Sequence, residues 1–482
     1  MDAGLAWVPR ELYLGGAWRA ARGAARLQVC DPSTGEAIAD VADAGVEDAQ
    51  EAVAAAAAAG PAWAARAPRE RGEILRRAFE LLIARREDVA RCITLESGKA
   101  LSEARGEVTY AAEFLRWFSE EAVRAQGEIG TAPSGANRMI VLRQPIGVCL
   151  FITPWNFPAA MATRKIGPAL AAGCTIVLKP AKETPLTALA MARLFEEAGV
   201  PPGVINVLPS RRSSEIVGSM LRDPRVRKLS FTGSTEVGRV LLAQAAAGIV
   251  KCSMELGGNA PFLVFADADL DLAVAGAMIA KLRNGGESCT AANRFYVEAP
   301  VAAEFSRRFA AAMAAVRIGP GLEEGVQMGP LVNAATRDKV AELVADARDR
   351  GGRVLTGGKS PARAGYFYEP TVIAEVPREA RAFHEEIFGP VAPIASFETV
   401  DEAVALANDT EFGLVSFVHT RDLSKALHVA ERIESGMVGI NRGVVSDPAA
   451  PFGGWKQSGI GREGAHEGLL EYLETKYIAA SW

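Results

Sequence analysis

The sequence predicts an α/β fold with two lobes, each built on a largely parallel β-sheet that is covered by helices. Three observations support this prediction. The chain has 482 residues, which is too long for one ordinary hydrophobic core. Short apolar stretches alternate with amphipathic helical stretches from about residue 140, and a second series of the same kind begins near residue 255. This alternation is typical of parallel sheets with helices on both faces.

Residues 46–127 are predicted to form helices that precede the first sheet. The stretch 46–63 is rich in alanine and carries acidic residues in its first turn, which suits a helix N-terminus. Apolar residues recur at helical spacing through residues 70–99, and Gly98 gives a stop signal near the end of that stretch.

The two α/β series are then read from short apolar runs bounded by glycine and proline. Strands are predicted at 140–154, 174–178, 204–209, 226–233, 260–265, 294–300, 353–358 and 391–397. Helices are predicted at 185–199, 234–248 and 270–284. Residues 127–143 interrupt the first series and are predicted to form a protruding hairpin. Residues 471–482 are a candidate partner strand for that hairpin.

The composition excludes several classes of function. Apolar residues make up 49% and charged residues 23%, which is ordinary for a globular protein. The net charge of -5 gives no reason to expect nucleic acid or a membrane surface as a partner. No apolar run reaches about 18 residues, and the N-terminal segment lacks the basic start and apolar core of a secretory signal. We therefore expect a cytoplasmic protein.

The cysteines and histidines argue against a disulfide framework and against a metal site. The chain has six cysteines, and none of them forms a C-x-x-C pair. The four histidines include no H-x-x-x-H pair. We therefore predict that the protein holds no metal.

The stretch 459–464 contains glycines in the G-x-G-x-x-G pattern of dinucleotide-binding loops. That pattern requires a strand before it, a helix after it and an acidic residue about 20 positions later, and fewer than about 20 residues follow here. We therefore interpret this stretch as a glycine-rich turn.

Three residues are suited to catalysis by their surroundings. Cys289 lies in a glycine-rich break after an apolar helix, so it is either a reactive thiol or a small buried hydrophobe. Glu255 ends a strand-like stretch and is either a general base or an ordinary surface carboxylate. Asn156 lies between two prolines after a strand, where its amide either donates to an oxyanion or belongs to a stiff turn.

Gly233 and Ser234 connect a strand-like stretch to a helix. Backbone N–H groups at a helix start form an anion site that suits a pyrophosphate. Ser234 is equally suited to an ordinary N-cap, so these residues alone leave both interpretations open.

Several motifs, in this order along the chain, resemble those of the aldehyde dehydrogenase superfamily, from about residue 11 to the C-terminus. They are PWNFP, ELGG, FTGSTEVG, the Cys289 loop, EEIFGP and PFGG. Within the superfamily, the chain is most similar to the succinate-semialdehyde dehydrogenase branch. The resemblance implies two Rossmann-like lobes and a small β arm, which would assemble a homodimer or homotetramer. The implied parts are a cofactor-binding domain of residues 1–122 and 145–254, a catalytic domain of residues 255–450, and an oligomerisation arm of residues 123–144 and 468–482.

The resemblance transfers catalytic roles to the matching positions. Cys289 occupies the nucleophile position and Glu255 the general-base position, while Asn156 and the backbone N–H of Cys289 would form the oxyanion hole. The implied reaction passes through a thiohemiacetal and a thioester on the cysteine, with hydride transfer to a nicotinamide cofactor before water releases the acid.

The resemblance also implies a set of cofactor contacts. They are Ile152, Trp155, Lys179, Lys182, Gly233, Ser234, Glu386 and Phe388. Lys179 would bind the adenosine ribose and Glu386 the nicotinamide ribose. Lys182 is the decisive position, because a lysine cannot accept a hydrogen bond from a ribose hydroxyl but pairs with a 2′-phosphate. With Arg211 and Arg212 on a nearby loop, we predict NADP as the preferred cofactor and NAD as the alternative.

Arg164, Arg283 and Ser446 match positions that hold the distal carboxylate in succinate-semialdehyde dehydrogenases. Two guanidinium groups on one carboxylate form charge-assisted hydrogen bonds, whereas Arg283 alone would be interpreted as a cation at a helix C-terminus. The predicted substrate is therefore succinate semialdehyde. Glutarate semialdehyde or a broad range of aldehydes is the alternative, because one methylene discriminates weakly. A non-catalytic structural protein of the same fold is the alternative from another class.

Three features depart from the resemblance. Ala291 stands where this branch commonly has a second cysteine, so a reversible disulfide with Cys289 is not expected. Glu287 stands where the family usually has glutamine, and a carboxylate near the thiol would oppose its ionisation. The stretch 211–214 lacks the glycine-containing turn of many relatives.

Overall fold

The structure is a computed structural model that describes residues 5–482. The strands are β1 (Leu12–Leu14), β2 (Ala17–Arg19), β3 (Arg26–Cys30), β4 (Ala37–Ala42), β5 (Glu128–Thr131), β6 (Arg138–Pro145), β7 (Val148–Ile152), β8 (Thr175–Lys179), β9 (Ile205–Val207), β10 (Val226–Thr232), β11 (Lys251–Glu255), β12 (Ala260–Val264), β13 (Ala292–Glu298), β14 (Arg353–Thr356), β15 (Thr371–Ala374), β16 (Val391–Phe397), β17 (Phe412–Gly413), β18 (Val415–His419), β19 (Met437–Ile440), β20 (Trp455–Lys456), β21 (Gly459–Ile460) and β22 (Leu473–Ala480).

The α-helices are α1 (Val46–Ala65), α2 (Pro68–Ala84), α3 (Arg86–Ser97), α4 (Leu101–Glu121), α5 (Pro158–Ala172), α6 (Pro185–Glu197), α7 (Ser213–Leu221), α8 (Thr235–Ala246), α9 (Leu270–Leu282), α10 (Ala299–Ala314), α11 (Ala334–Asp349), α12 (Arg381–His384), α13 (Val400–Asn408), α14 (Leu423–Arg432) and α15 (Ala465–Leu470). No helix within residues 5–482 is long and apolar enough to cross a membrane.

The first lobe contains an eight-stranded sheet in the order β2-β1-β9-β8-β7-β10-β11-β21. The five strands from β9 to β11 are parallel to one another, and antiparallel strands complete both edges. Successive side chains of a strand point to opposite faces, so Leu150 and Phe151 enter two different hydrophobic clusters. Helices α5 to α8 connect the parallel strands at the centre of this sheet, as the sequence predicts.

The second lobe contains a seven-stranded sheet in the order β14-β15-β16-β13-β12-β18-β19. All neighbouring strands are parallel except β14 and β15 at one edge. Phe262 and Leu263 of β12 enter separate hydrophobic clusters and are fully buried. Both faces of this sheet are therefore covered, which agrees with the predicted second α/β lobe.

A separate three-stranded antiparallel sheet has the order β22-β6-β5. Ile140 of β6 pairs with Ile129 of β5 on one side and with Ile478 of β22 on the other. The hairpin and the C-terminal strand predicted from the sequence therefore pair with each other. Ile129 and Ile478 have 69% and 39% of their surface exposed, so this sheet presents apolar side chains to solvent.

The structure corrects two sequence expectations about element boundaries. The stretch 140–154 is two strands in different sheets, β6 and β7, and Gly147 separates them with a φ of 120° that favours glycine. The stretch 70–99 is two helices, α2 and α3, that meet at Arg85. Gly98 does end the second of them, in the left-handed conformation.

The glycine-rich stretch 459–464 is more than a turn. Gly459 and Ile460 form β21, which pairs with Glu255 and Met254 at the edge of the first sheet. A Cβ atom on Gly459 would lie 2.1 Å from the carbonyl oxygen of Met254, and its φ is 150°. Only glycine permits this approach, so the stretch fixes the end of β11.

Candidate active site

A cavity of about 420 Å³ lies where the carboxyl ends of the first sheet meet loops of the second lobe. Ten of the residues predicted from the sequence line it: Trp155, Asn156, Arg164, Gly233, Ser234, Arg283, Cys289, Glu386, Phe388 and Ser446. Four predicted residues do not line it: Ile152, Lys179, Lys182 and Glu255. Three of these four end strands, since Ile152, Lys179 and Glu255 are the last residues of β7, β8 and β11.

Cys289 follows a single turn of 3-10 helix at residues 283–286, directly after α9. Asn284 and Gly285 in this turn have φ values of 56° and 61°, which bend the chain back toward the first lobe. A Cβ atom on Gly258 would lie 2.2 Å from the carbonyl oxygen of Cys289, so the two loops touch through their backbones. Gly258 therefore allows the cysteine loop to pack closely against the loop that follows β11.

Burial raises the pKa of the Cys289 thiol to about 12. The guanidinium groups of Arg164 and Arg283 oppose this rise, whereas the carboxylates of Glu386 and Glu255 add to it. The resting thiol is therefore protonated at neutral pH, and it must lose its proton before it acts as a nucleophile.

Asn156 is fixed directly against the cysteine loop. Its side-chain Nδ2 donates to the carbonyl oxygen of Glu287 at 3.1 Å, and its Oδ1 accepts from the N–H of Phe157 at 3.1 Å. Its own carbonyl accepts from Asn284 Nδ2 at 3.0 Å and from Lys99 Nζ at 2.7 Å. Asn156 is thus held beside Cys289 by two hydrogen bonds of its side-chain amide and two of its backbone carbonyl, as pre-organisation of a donor requires.

Glu255 is buried at the end of β11, with 2% of its surface exposed. Its Oε2 has no hydrogen-bond partner among residues 5–482. Burial raises its pKa well above the ordinary value, and the nearby Glu463 raises it further, while Arg164 and Lys165 lower it. A buried carboxyl group with a raised pKa and a free oxygen is suited to accepting a proton.

Arg164 is a buried cation with 2% of its surface exposed. Its Nη2 donates to the Tyr110 hydroxyl at 2.7 Å, and its Nη1 lies 3.5 Å from Glu463 Oε2. The guanidinium carbon lies 4.0 Å from the centre of the Phe452 ring. Burial opposes the charge, but Tyr110, Glu463, Glu255 and Cys289 together raise the pKa, so Arg164 stays charged.

Arg283 approaches the same space from the cysteine loop. Its guanidinium carbon lies 4.9 Å from the centre of the Phe157 ring and 5.4 Å from that of Tyr110. Ser446 lines the same cavity. The three residues predicted to hold a carboxylate are therefore brought together with Cys289.

The other part of the cavity is bordered by aromatic and polar groups. Trp155 and Phe388 meet edge to face, with ring centres 5.4 Å apart. The Glu386 carboxylate accepts from the N–H of Gly258 at 3.0 Å, and burial raises its pKa to about 7. Ser234 caps α8 by accepting from the N–H of Val237 at 3.3 Å, which confirms the N-cap interpretation of this serine.

A nicotinamide dinucleotide fits this part of the cavity. Thr232 lines the cavity at the end of β10, and its buried Oγ1 has no hydrogen-bond partner among the described residues. A Cβ atom on the adjacent Gly233 would lie 2.4 Å from the Phe231 ring, so bare backbone faces the cavity before α8 begins. An unpaired hydroxyl, an exposed backbone and a helix N-terminus are suitable partners for phosphate and ribose oxygens.

Lys179 and Lys182 differ in their surroundings. Lys179 is buried, and burial lowers its pKa to about 8. The Lys182 side chain has 61% of its surface exposed, and its nearest ion-pair partner is Glu183 at 3.9 Å. Lys182 is therefore an accessible cation beyond the end of β8.

Arg211 and Arg212 are already engaged within the protein. Arg211 Nε lies 2.7 Å from the Asp43 carboxylate, and its Nη2 donates to the carbonyl of Arg26 at 3.0 Å. Arg212 Nη2 donates to the carbonyls of Asp43 and Ala44 at 3.4 and 3.3 Å. These two arginines are therefore less available to a cofactor phosphate than the sequence analysis expected.

Glu287 does not line the cavity, although it precedes Cys289 by two residues. Its Oε1 accepts from the backbone N–H of Val332 at 2.9 Å, and 3% of its surface is exposed. Burial raises its pKa well above the ordinary value. The carboxyl group anchors the cysteine loop to the segment before α11, which the sequence alone does not show.

The aldehyde dehydrogenase family model matches residues 18–478. The chain belongs to the aldehyde dehydrogenase family. It is 57% identical over 441 residues to succinate-semialdehyde dehydrogenase of Paenarthrobacter nicotinovorans, covering 92% of this chain and 98% of that protein. It is 51% identical over 469 residues to glutarate-semialdehyde dehydrogenase of Pseudomonas aeruginosa, with 97% of each covered. The crystal structure of an Escherichia coli NADP-dependent enzyme is similar with a TM-score of 0.98 and 48% identity, covering 100% of this chain and 99% of that one.

These similarities confirm the predicted family and the predicted fold class of two Rossmann-like lobes. Sequence reasoning nevertheless missed several residues of this aldehyde dehydrogenase site. Lys165 donates to Glu463 Oε1 at 2.5 Å and to Ser230 Oγ at 2.9 Å, and its charge opposes the rise that burial causes in the pKa of Glu255. Lys99 forms a buried ion pair with Glu107.

Tyr110 and Glu107 lie on one face of α4, three residues apart. Tyr110 lines the cavity, and Glu107 accepts from the N–H of Ala159 and pairs with Lys99. Polar residues at helical spacing on an otherwise apolar face are the signal that points to such positions. Glu463 lies in the glycine-rich stretch that the sequence analysis interpreted as a turn.

Proposed function

We propose that this aldehyde dehydrogenase oxidises succinate semialdehyde to succinate, with NADP preferred over NAD. The observation that carries the proposal is the convergence of Arg164 and Arg283 on the cavity that contains Cys289. Two cations in one largely apolar cavity select a substrate with an anionic end. The 57% identity to a succinate-semialdehyde dehydrogenase supports the same substrate.

The first chemical step assigns roles to three residues. The Cys289 thiol loses its proton, which Glu255 accepts, and the thiolate attacks the aldehyde carbon to give a thiohemiacetal. The Asn156 amide and the N–H of Cys289 donate to the oxygen that becomes negative. Arg164 and Arg283 favour the thiolate, because both lower the Cys289 pKa.

The nicotinamide cofactor, when bound, would supply the oxidant that takes a hydride from the thiohemiacetal carbon and so leaves a thioester on Cys289. Lys179, Ser234 and Glu386 would hold its ribose and phosphate groups, with Ile152, Trp155, Gly233 and Phe388 packed around it. Glu255 passes the cysteine proton to solvent and, ionised again, deprotonates a water molecule whose attack on the thioester releases succinate. The raised pKa of Glu255 suits both of its proton transfers.

The NADP preference rests on Lys182. Its side chain is accessible, and among residues 5–482 it has no closer ion-pair partner than Glu183 at 3.9 Å. An ammonium group pairs with a 2′-phosphate and cannot accept a hydrogen bond from a 2′-hydroxyl. The similarity to an NADP-dependent enzyme of Escherichia coli supports this choice.

Glutarate semialdehyde is the second candidate substrate. The same arginines would bind its carboxylate, and one added methylene changes binding by only about 1 to 3 kcal/mol. The 51% identity to a glutarate-semialdehyde dehydrogenase supports this alternative.

We also propose that the chain is divided as the sequence suggests, with residues 1–122 and 145–254 binding the cofactor and residues 255–450 forming the catalytic domain. Residues 1–4 of the first domain lie outside the described residues. The segments 123–144 and 468–482 would assemble a homodimer or homotetramer, which the exposed apolar residues of the three-stranded sheet favour. The cytoplasmic location stays a prediction.

The test is a kcat/KM panel for succinate semialdehyde, glutarate semialdehyde and the uncharged hexanal, run with wild type and with Arg283→Ala. A hydrogen bond to a charged group contributes roughly 1.5 to 3 kcal/mol, so the substitution should lower kcat/KM for the semialdehydes by about tenfold or more. The value for hexanal should fall by a smaller factor, because an uncharged substrate loses only the effect of Arg283 on the Cys289 pKa. Arg307→Ala is the matched control, since Arg307 is exposed on α10 and outside the cavity. An equal loss for hexanal would show that Arg283 does not bind a carboxylate.

A further inference from the structure

Tyr110 lies between the two arginines of the proposed carboxylate site. It belongs to α4, and it lines the same cavity as Cys289 and Ser446. The guanidinium carbons of Arg164 and Arg283 lie 5.8 and 5.4 Å from the centre of its ring. One aromatic side chain therefore contacts both cations.

This arrangement stabilises two like charges near each other. Guanidinium groups in a partly dry cavity repel each other, and the repulsion grows as water is excluded. The face of an aromatic ring is electrostatically negative and attracts a cation within about 6 Å of its centre. Arg283 forms no ion pair within the part of the chain that the structure describes, and its guanidinium lies near the Tyr110 and Phe157 rings. Burial raises the pKa of the Glu103 carboxyl, and the charge of Arg283 opposes this rise.

The Tyr110 hydroxyl has an unused hydrogen. Its oxygen accepts from Arg164 Nη2 at 2.7 Å, which orients that guanidinium group. A phenol is both donor and acceptor, and across residues 5–482 no acceptor for its own hydrogen is found. A donor without a partner is thus placed beside two cations, in a cavity that leads to the nucleophile.

We propose that Tyr110 is a specificity-determining residue, whose phenolic O–H donates to the distal carboxylate of the substrate while its oxygen holds Arg164 in position. This inference rests on the proposed function, because it supplies a further donor to the same anion. Tyr110 adds a contact to the three that Arg164, Arg283 and Ser446 are predicted to make. Tyr110 would bind substrate without taking part in the chemistry at Cys289.

The experiment compares wild type, Tyr110→Phe and Tyr110→Leu with succinate semialdehyde and hexanal, and measures inhibition by succinate. Loss of one hydrogen bond to a charged group corresponds to about a tenfold effect. Tyr110→Phe should therefore raise KM for succinate semialdehyde and Ki for succinate by about tenfold, while kcat changes by less than about twofold. Tyr110→Leu also removes the ring, so both constants should rise further. Hexanal kinetics should stay within about twofold of wild type for Tyr110→Phe.

Tyr366→Phe is the matched control, because the same hydroxyl is removed at a position outside the cavity and outside the proposed oligomerisation arm. Two results would overturn the role of Tyr110: unchanged KM and Ki in Tyr110→Phe, or an equal rise of KM for hexanal. In either case the wild-type preference for the semialdehyde would still support the proposed function. If wild type shows no preference for succinate semialdehyde over hexanal, the proposed function fails, and the role of Tyr110 fails with it. The two failures are therefore distinguished by the wild-type enzyme alone.

Discussion

Replacing Lys182 with alanine tests the proposed cofactor preference most directly. The Lys182 side chain is 61% exposed, and its only ion-pair partner among the described residues is Glu183, at 3.9 Å. Arg211 on the nearby loop is also exposed, at 59%, but its charge is paired with Asp43 at 2.7 Å. The substitution therefore removes the one accessible charge that we expect at a 2′-phosphate.

The size of the effect follows from the exposure of Lys182. A unit charge and a phosphate of charge about -1.5 to -2 attract each other by roughly 1 to 2 kcal/mol at about 4 Å in water. This corresponds to a decrease of about five- to thirtyfold in kcat/KM for NADP. The value for NAD should change by less than about twofold, because NAD has a hydroxyl group at this position.

The assay follows reduced cofactor by absorbance at saturating succinate semialdehyde, with NADP and NAD varied in parallel. Raising the ionic strength to about 1 M should shrink the difference, because the Debye length falls to about 3 Å. Arg211→Ala is the control, since the loss of a charge already paired with Asp43 should leave the NADP to NAD ratio unchanged. An unchanged ratio in Lys182→Ala would refute the reasoning, and the cofactor would then be selected elsewhere.

Two substitutions test the contacts that hold the cysteine loop and the end of β11. Burial raises the Glu287 pKa, so the folded protein holds this proton more tightly than the unfolded chain, and wild-type stability falls as pH rises toward the folded pKa. Glu287→Gln keeps an acceptor for the Val332 N–H but has no proton to lose. The Tm of this variant should therefore exceed that of wild type at pH 9 and match it near pH 4. Tm curves that run parallel over this pH range would contradict the argument. Gly459→Ala places a Cβ atom 2.1 Å from the Met254 carbonyl, so urea unfolding should show a loss of about 2 to 3 kcal/mol. Gly106→Ala should cost nothing, because its Cβ atom would meet no atom within 4 Å, and an equal loss there would refute the steric argument.

The fold was largely accessible from the sequence because local patterns determine it. Strand and helix periodicities located the parallel strands of the first sheet and β12, β13 and β16 of the second, but missed β15, β18 and β19. Turn residues located the hairpin at 127–143. The predicted boundaries were wrong where one element follows another after only one or two residues. The strands β6 and β7 are separated only by Ile146 and Gly147, yet they belong to different sheets. Periodicity reports which residues are buried, but not which sheet buries them.

Site residues in short motifs were predictable from the sequence, whereas the direction of a side chain such as Glu287 was not. Cys289 and Asn156 stand in short motifs whose glycines and prolines constrain the backbone nearby, and the structure brings them together through the Glu287 carbonyl. The direction of a side chain has no such local signature. Glu287 precedes the cysteine by two residues, yet it binds the Val332 N–H, because the turn at residues 283–286 reverses the chain.

The least predictable part of the site is the set of charges that surrounds Glu255. Its pKa is raised by burial and by Glu463, and lowered by Arg164 and Lys165, which are all distant in sequence. Glu463 reaches this position because β21 joins the first sheet through Gly459, a residue that the sequence analysis placed in a simple turn. A buried carboxyl group titrates according to the charges that the tertiary fold places next to it. The identity of a general base can therefore be predicted from a motif, whereas its proton affinity is a property of the folded chain.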